Sequence, residues 1–272
     1  MNRQVPNRKY TIIGDGRVAR HFKHYFNLVG ITYNHWQRSQ SNEQLQLSIA
    51  ESDCVLILIA DDAIETFISR HTFLIDKNLI HFSGTLNIDN AIGCHPLMTF
   101  SHELYDIHTY QSIPFVCDEH VQFNELFPQL KNNSFNLNKD KKAYYHAMCV
   151  MAGNFSQILM RESSKKINSE LNLPADILFP YLLQNTKNFI SHPESSATGP
   201  LERGDFSTIS KHLQVLQGDE LKSIYKSFIK HSYILSESLE RKNTESKFNK
   251  SINSSLKQTD HSLPSNQKGV AQ

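Results

Sequence analysis

A glycine-rich stretch near the start of the chain has residue types and spacing suited to holding a phosphate. The segment GDGRVA, residues 14–19, fits the pattern G-x-G-x-x-A. The first glycine permits a tight turn, the second lets a pyrophosphate approach the backbone, and the small Ala19 lets helix and strand pack closely. Free N–H groups at the start of the following helix attract phosphates. The pattern predicts a dinucleotide site, and a plain glycine turn is the alternative. The candidate cofactor-binding residues here are Gly14, Asp15, Gly16, Arg17 and Val18.

The residues about twenty positions further on indicate which dinucleotide is bound. An NAD site usually places an acidic residue there for the ribose 2′-OH, but the segment NHWQRSQS, residues 34–41, has no acid before Glu43. Arg38 can grip a 2′-phosphate through its charge and fork geometry, and Ser39 can add a hydrogen bond. This favours NADPH as the cofactor, with Arg38 as a solvated loop residue as the alternative.

The elements that must position these residues follow from the alternation along the first half of the chain. KYTIIG reads as a buried strand, and RVARHFKHYFNLVG reads as a helix that ends at Gly30. Further strands are predicted at ITYNHW, DCVLILIAD, NLIHFSG and SIPFVCD, with helical segments SNEQLQLSIAES and DAIETFISRH between them. The first of these helices is expected to begin with a Ser or Asn cap. Strands that alternate with helices predict an α/β fold, an N-terminal Rossmann domain with a mostly parallel sheet over residues 1–138.

The sequence pattern changes at Lys139, from alternating strands and helices to helices alone. The stretch from Lys139 to Asn172 predicts one long helix stopped by Pro174, and the following segments are also helical. Residues 139–241 are therefore predicted to form an all-helical domain for substrate binding and dimerisation. Residues 242–272 are rich in Ser, Asn, Lys and Gln and are predicted to be a disordered tail.

Composition and cysteine spacing exclude several classes of function. The 28 Lys and Arg nearly balance the 27 Asp and Glu, which argues against a nucleic-acid surface or a polybasic membrane patch. The start of the chain has no apolar signal segment, and no apolar run is long enough to span a bilayer, so we expect a cytoplasmic protein. The four scattered cysteines predict neither a disulfide framework nor a zinc site, and Cys54 and Cys149 read as small core residues. His21 and His24 have no further ligands in their neighbourhood, so no metal is expected.

Three further segments carry a family likeness. HFSGTL (81–86), GCHPLMTF (93–100) and ATGPLERGDFSTISKHL (197–213), together with the glycine turn, resemble the Rossmann-like plus DUF2520 proteins. These are relatives of the 6-phosphogluconate-dehydrogenase-like and pyrroline-5-carboxylate-reductase-like reductases, and the resemblance covers about residues 8–240. Among them, the alternative ketopantoate reductases look most similar, which implies reduction of 2-dehydropantoate by NADPH in pantothenate synthesis. The alternatives are a reductase of a cyclic imine or another small keto acid, and a non-catalytic NADP(H)-binding sensor.

The chain departs from its wider relatives at the expected proton donor. Ordinary ketopantoate reductases carry a helical Lys-x-x-x-Asn pair; Asn154 matches the asparagine, but Val150 occupies the lysine position. His146 precedes Asn154 by eight residues, about two helical turns, so the two share a face, and an imidazole suits proton donation at neutral pH. We expect His146 to donate the proton and Asn154 to orient the substrate hydroxyl. The alternatives are that His146 packs a helix face and that Asn154 makes an interhelical hydrogen bond.

Three other residues complete the candidate site. His95 is predicted in a loop near the crevice where α/β sheets bind ligands, as a second donor or a structural turn residue. Ser83 and Gly84 end a predicted strand and are expected to line the nicotinamide pocket; the alternative is that a strand end simply needs small residues. Arg203 precedes Asp205, which is a predicted helix N-cap. The guanidinium of Arg203 suits a substrate carboxylate, and the alternative is an Arg–Asp pair that fixes the loop. The apolar segment MCVMAGNFSQIL, residues 148–159, predicts a homodimer through the helical domain.

Overall fold

The structure, a computed structural model, describes residues 8–239. Its contacts divide them into two units, one up to Leu171 and one from Asn172 onwards. The strands are β1 (Tyr10–Ile13), β2 (Tyr33–Trp36), β3 (Cys54–Ile57), β4 (Asn78–His81), β5 (Ile92–Pro96), β6 (Phe115–Asp118) and β7 (Ser134–Leu137). The α-helices are α1 (Arg17–Val29), α2 (Asn42–Ala50), α3 (Asp61–Arg70), α4 (Ile107–Ser112), α5 (Phe123–Leu126), α6 (Lys142–Cys149), α7 (Ser156–Leu171), α8 (Phe179–Ser191), α9 (Phe206–Val215) and α10 (Leu221–Leu239).

One seven-stranded sheet organises the first unit. Its order is β2-β1-β3-β4-β5-β6-β7, with β1 to β5 parallel, β6 antiparallel to β5, and β7 parallel to β6. Ile13, the last residue of β1, lies opposite Trp36 and Ile57, and Ile57 lies opposite His81. The carboxyl ends of β1 to β4 are therefore level with one another. The prediction of an α/β, Rossmann-like fold with a mostly parallel sheet is confirmed.

The sheet is buried on both faces. Tyr10 and Ile12 of β1 pack in one apolar cluster with residues of α1 such as Phe26, while Ile13 packs in a second cluster with Leu45 of α2. This separation follows from the alternation of side chains along a strand. Burial on both faces explains why the parallel strands read as continuous apolar runs.

Several predicted helix ends are also observed. The first helix begins at Arg17 and ends at Val29, with Gly30 as its C-terminal cap. Ser41 caps α2 by accepting a hydrogen bond from the Gln44 backbone N–H, and the Gln44 side chain accepts from the Ser41 N–H in return. Asp205 caps α9 by accepting from the Thr208 N–H at 3.0 Å.

The structure corrects four details of the sequence interpretation. His95 lies inside β5, not in a loop. The segment IGCHP gives a weak strand signal because it carries a glycine and ends in a proline. The strand β7 was not predicted either, since three of its four side chains are exposed at the sheet edge and give no apolar signal. The long helix after Lys139 is interrupted by a π-helical segment, Val150–Phe155. Cys54 is buried in the core as predicted, but Cys149 is only half-buried.

The second unit is helical. Ile209, Leu213 and Ile229 form its small apolar core, and Leu201 and Tyr225 pack against them. None of the helices within residues 8–239 is long and apolar enough to cross a membrane. The predicted domain boundary after residue 138 stays a prediction, and the predicted tail 242–272 lies outside the described residues.

Candidate functional site

The carboxyl ends of β1 to β4 open into a cleft of about 1050 Å³. Residues from four parts of the first unit line it: the glycine turn at 14–18, the end of β2 at 36–38, the β3–α3 connection and α3 within 57–71, and residues 82–83 after β4. The crevice beyond the carboxyl ends of the strands is where open α/β sheets bind ligands. The volume is at the upper end of small-molecule and cofactor sites.

The backbone of the glycine turn explains its residue types. Gly14 has φ +113°, and a Cβ there would overlap the Leu58 carbonyl oxygen, so only glycine fits. Nothing lies within 4 Å of the place where a Cβ at Gly16 would sit. The helix that follows begins without a capping side chain, which leaves its first N–H groups for a ligand, and Ala19 is fully buried against the sheet. These residues fit a pyrophosphate at the start of α1.

The side chain of Asp15 is turned to Lys23 and His35. Its carboxylate lies 2.5 Å from the Lys23 ammonium and 3.9 Å from the His35 ring. The hydrogen bond from Lys23 lowers the pKa of Asp15 below its usual range. Asp15 therefore lines the cleft with its charge balanced by Lys23. Arg17 and Val18 also line the cleft.

One end of the cleft is rich in arginine and aromatic side chains. Arg38 lines the wall from the end of β2, and Ser39 follows it with its side chain exposed. Arg70 and His71, at the end of α3, line the same cleft. These two were missed from the sequence because they come thirty residues after Arg38 and no local spacing links them to it.

The other end of the cleft leads to Ser83. Its hydroxyl donates a hydrogen bond to the Asp61 carboxylate at 2.5 Å, and both residues line the cleft. Gly84 follows, and a Cβ there would overlap Cδ2 of His146 and lie 3.0 Å from its Cγ. The imidazole of His146 therefore packs directly on the backbone next to Ser83.

The His146 ring lies against a second histidine, which in turn bonds to a tyrosine. The His95 ring lies edge-on to it, with 5.6 Å between the ring centroids, and Nδ1 of His95 shares a hydrogen bond with the Tyr145 hydroxyl at 2.9 Å. We call Gly84, His95, Tyr145 and His146 the histidine cluster. Burial, and then repulsion from His146, lower the pKa of His95 to about 4. His95 is therefore a neutral hydrogen-bonding group at pH 7.

A buried ion pair fixes α6, which carries His146, to the sheet. The Lys142 ammonium donates to Asp118 at 2.8 Å, and Asp118 also accepts from the Gly93 backbone N–H at 2.6 Å. Lys142 and Tyr145 lie three residues apart on α6, so they and His146 project from one side of the helix. His81 is fully buried on the neighbouring strand, and burial lowers its pKa to about 4.

Asn154 and Arg203 lie outside these contacts. Asn154 is exposed in the π-helical segment, a type of local distortion that recurs at functional sites. Arg203 belongs to the second unit, where its guanidinium donates to the Thr198 carbonyl oxygen. The loop alternative predicted an Arg–Asp pair, and the charge of Arg203 is also among the causes that lower the pKa of Asp205, after the hydrogen bonds from Thr208. Within the described residues, no three His, Cys, Asp or Glu side chains converge as a metal site.

Comparisons with known proteins show what this chain is similar to. Residues 118–231 match the family model described as Domain of unknown function (DUF2520), a span that includes Lys142, His146, Asn154 and Arg203. No curated protein matches the chain.

Three solved structures share the fold. A Bacteroides fragilis protein named as an NADP oxidoreductase is 17% identical with a TM-score of 0.65, and the match covers 84% of this chain and 99% of that one. Protein TM1727 from Thermotoga maritima is 22% identical with a TM-score of 0.63, over 85% and 100% of the two chains. Pyrroline carboxylate reductase from Plasmodium falciparum, with NADP bound, is 12% identical with a TM-score of 0.52, over 85% and 99%. The predicted resemblance to DUF2520 proteins is confirmed over residues 118–231, and the chain shares its fold with these solved structures.

Proposed function

We propose that this protein is an NADPH-dependent reductase of a small molecule with a C=O or C=N bond, and that its substrate is 2-dehydropantoate. The single observation that carries the proposal is the arrangement of the first unit. A cleft built for a dinucleotide ends at Ser83, and the His146 imidazole packs on the next residue, Gly84. A reductase needs a cofactor site and a proton donor side by side.

The cleft residues fit NADPH from end to end. The Gly14–Val18 turn and the start of α1 would hold the pyrophosphate. Arg38, with Ser39 beside it, would bind the 2′-phosphate, and Arg70 adds a second guanidinium to that wall. Ser83 would lie beside the nicotinamide. When bound, NADPH supplies the hydride that reduces the substrate carbon. The Bacteroides protein is named as an NADP oxidoreductase and the Plasmodium structure has NADP bound, and both support this cofactor.

The proton is assigned to His146. A keto carbon that gains a hydride becomes an alkoxide, which needs a proton from a group at the same place. His95 is neutral at pH 7 because of its low pKa, so its role is to orient the cluster through its bond with Tyr145. His146 then delivers the proton.

The substrate contacts complete the proposal. Asn154 would orient the developing hydroxyl, and Arg203 would pair with the carboxylate of 2-dehydropantoate. The molecule would act as a cytoplasmic homodimer through its helical region. Large apolar side chains exposed there support a dimer; they include Met151, Phe155 and Phe179, which are 56%, 52% and 62% exposed.

Reduction of a cyclic imine is a second candidate. The fold is shared with a pyrroline carboxylate reductase, and Val150 replaces the lysine that would donate the proton to a keto acid in the ordinary ketopantoate reductases. An imine is more basic than a ketone and depends less on a strong acid. A protein that binds NADP(H) without turnover is the remaining alternative.

The test follows NADPH oxidation by absorbance, with 2-dehydropantoate and with pyrroline-5-carboxylate, and repeats both with NADH. We expect turnover with 2-dehydropantoate and a preference for NADPH. Turnover with pyrroline-5-carboxylate alone would show that the substrate is a cyclic imine and not 2-dehydropantoate. Tight NADPH binding with no turnover on either compound would favour the non-catalytic sensor.

A further inference from the structure

A continuous set of contacts joins the cleft to His146 through Asp61, a residue that no motif pointed to. Asp61 is the first residue of α3, and its side chain is exposed at the cleft wall. Its carboxylate accepts the Ser83 hydroxyl hydrogen at 2.5 Å. Ser83 itself is 4% exposed, so this bond holds a nearly buried side chain from the cleft side.

The hydroxyl of Ser83 is fully used by this arrangement. A hydroxyl has one hydrogen to donate and two lone pairs. The hydrogen goes to Asp61, and the oxygen accepts from the backbone N–H groups of Thr85 and Leu86, both at 3.2 Å. Ser83 therefore ties down the turn of residues 83–86, and Asp61 fixes the direction of that hydroxyl.

The same turn contains the surface on which His146 packs. The ring of His146 lies so close to Gly84 that a Cβ there would overlap it. A shift of the turn by a few tenths of an ångström would therefore either press on the imidazole or leave a gap beside it. The ring therefore packs on the turn that the Ser83 hydroxyl ties together, and Asp61 is the acceptor of that hydroxyl.

We propose that Asp61 is a positioning residue, which holds the Ser83–Leu86 turn and through Gly84 keeps the His146 imidazole at the end of the cleft. The proposal rests on the reductase function for its effect on turnover, but the position of the ring is a property of the protein alone. Asp61 also faces the reacting end of the cleft, so its contact with Ser83 links the cofactor wall to the proton donor.

The experiment compares three variants of the full chain. Asp61→Ala removes the acceptor, Asp61→Asn keeps an acceptor oxygen without the charge, and Glu65→Ala is the control. Glu65 is an exposed acid one turn further along α3 and outside the cleft lining. The readouts are kcat and KM with the substrate that the wild-type protein reduces, NADPH affinity by fluorescence, and the ring signal of His146 by NMR, assigned from His146→Ala.

For Asp61→Ala we expect kcat to fall about tenfold to a hundredfold, since small misplacements of a reacting group cost this much. The NADPH affinity is expected to stay within about threefold, and the ring signal of His146 should move, because the bond lost is to the turn and not to the cofactor. Asp61→Asn should recover most of kcat, and Glu65→Ala should match the wild type in every readout.

Two results would overturn the proposal. An unmoved His146 signal in Asp61→Ala would do so whether or not the protein turns over. An Asp61→Asn variant as impaired as Asp61→Ala would show that the charge matters and the hydrogen bond does not. A wild-type protein that reduces neither substrate would instead count against the reductase function, and the NMR comparison would still decide the role of Asp61.

Discussion

The cleft and the histidine cluster meet at Ser83 and Gly84, but they are built from different parts of the chain. The part of the cleft proposed to hold the phosphates is made of backbone: a glycine turn, the start of one helix and the level ends of neighbouring strands. The histidine cluster is made of side chains from β5 and α6, packed on a turn that follows β4. Its residues span positions 84–146, whereas the glycine turn occupies six consecutive residues.

The difference teaches where each part is vulnerable. A site built from backbone is disrupted when an added side chain clashes with the main chain. Such a clash also destabilises the fold. A side-chain site can lose its chemistry while the fold and the cofactor site persist. Variants at the two places should therefore separate binding and stability from turnover.

The largest effect is expected at the backbone site. Gly14→Ala places a Cβ against the Leu58 carbonyl oxygen at φ +113°, so we expect a loss of about 3 kcal/mol in the free energy of unfolding, and loss of NADPH binding. Urea denaturation and fluorescence titration measure the two quantities.

Gly16→Ala is the matched control for that variant. Its Cβ would meet no protein atom within 4 Å, so stability should stay within about 1 kcal/mol while the methyl group obstructs the pyrophosphate. Equal stability losses in the two variants would contradict the assignment of the turn.

Substitutions in the histidine cluster should lower turnover and leave NADPH binding largely unchanged. We expect His146→Ala to lower kcat by about a hundredfold to a thousandfold, the usual contribution of a general acid, and to leave NADPH affinity within about twofold. Gly84→Ala should do the same, because its Cβ displaces the ring. Steady-state kinetics beside fluorescence titration separates the two effects. Tyr144→Ala, a change to an exposed neighbour that is 71% exposed, should be silent; a kcat loss there equal to that of His146→Ala would refute the role of His146.

A further effect, confined to acidic pH, concerns the strand beside the cluster. Burial, and then the charge of Lys142, lower the pKa of His81 from 6.5 to about 4, so the folded state disfavours its charged form. Above pH 6.5 His81 is neutral in both the folded and the unfolded state. As the pH falls from 6.5 towards 4, only the unfolded state takes up the proton, so the free energy of unfolding falls by about 3 kcal/mol. Unfolding measured across that range should be flatter in His81→Phe. His102→Phe, at an exposed position, should keep the wild-type slope, and an unchanged slope in His81→Phe would disprove the assignment.

The smallest effect tests whether the site prefers NADPH over NADH. Arg38→Ala should weaken NADPH binding about tenfold, the value of one charge-assisted hydrogen bond, and leave NADH binding within about twofold. Isothermal titration with both cofactors measures this. Arg161→Ala, an exposed arginine on α7, serves as the control. Equal losses for NADPH and NADH in Arg38→Ala would show that this arginine does not read the 2′-phosphate.

The sequence predicted the backbone-built part well because its signals are local. Gly14, Gly16 and Ala19 fall within one turn, and the apolar runs of β1 and β3 report burial on both sheet faces. The caps at Ser41 and Asp205 were also readable, since each is defined by residues three positions apart.

The side-chain-built part could be predicted only in pieces. His95 and His146 were candidates by type, but their contact depends on the pairing of β5 with its neighbours and on the buried Lys142–Asp118 pair. Asp61 and Arg70 carried no signal, because their importance comes from the fold bringing them to the cleft. The π-helical segment at Val150–Phe155 could not be foreseen from helical periodicity, which assumes an unbroken α-helix.

The most direct test of the central claim is an NMR titration of the His146 ring with two ligands. Adenosine 2′,5′-bisphosphate carries the 2′-phosphate end of NADPH without the nicotinamide, so it should bind beside Arg38 and leave the His146 signal in place. NADPH should bind the same cleft and move that signal, because its nicotinamide would reach the residues next to Gly84. A His146 signal that responds to both ligands equally, or to neither, would contradict a single cleft that runs from the glycine turn to the histidine cluster.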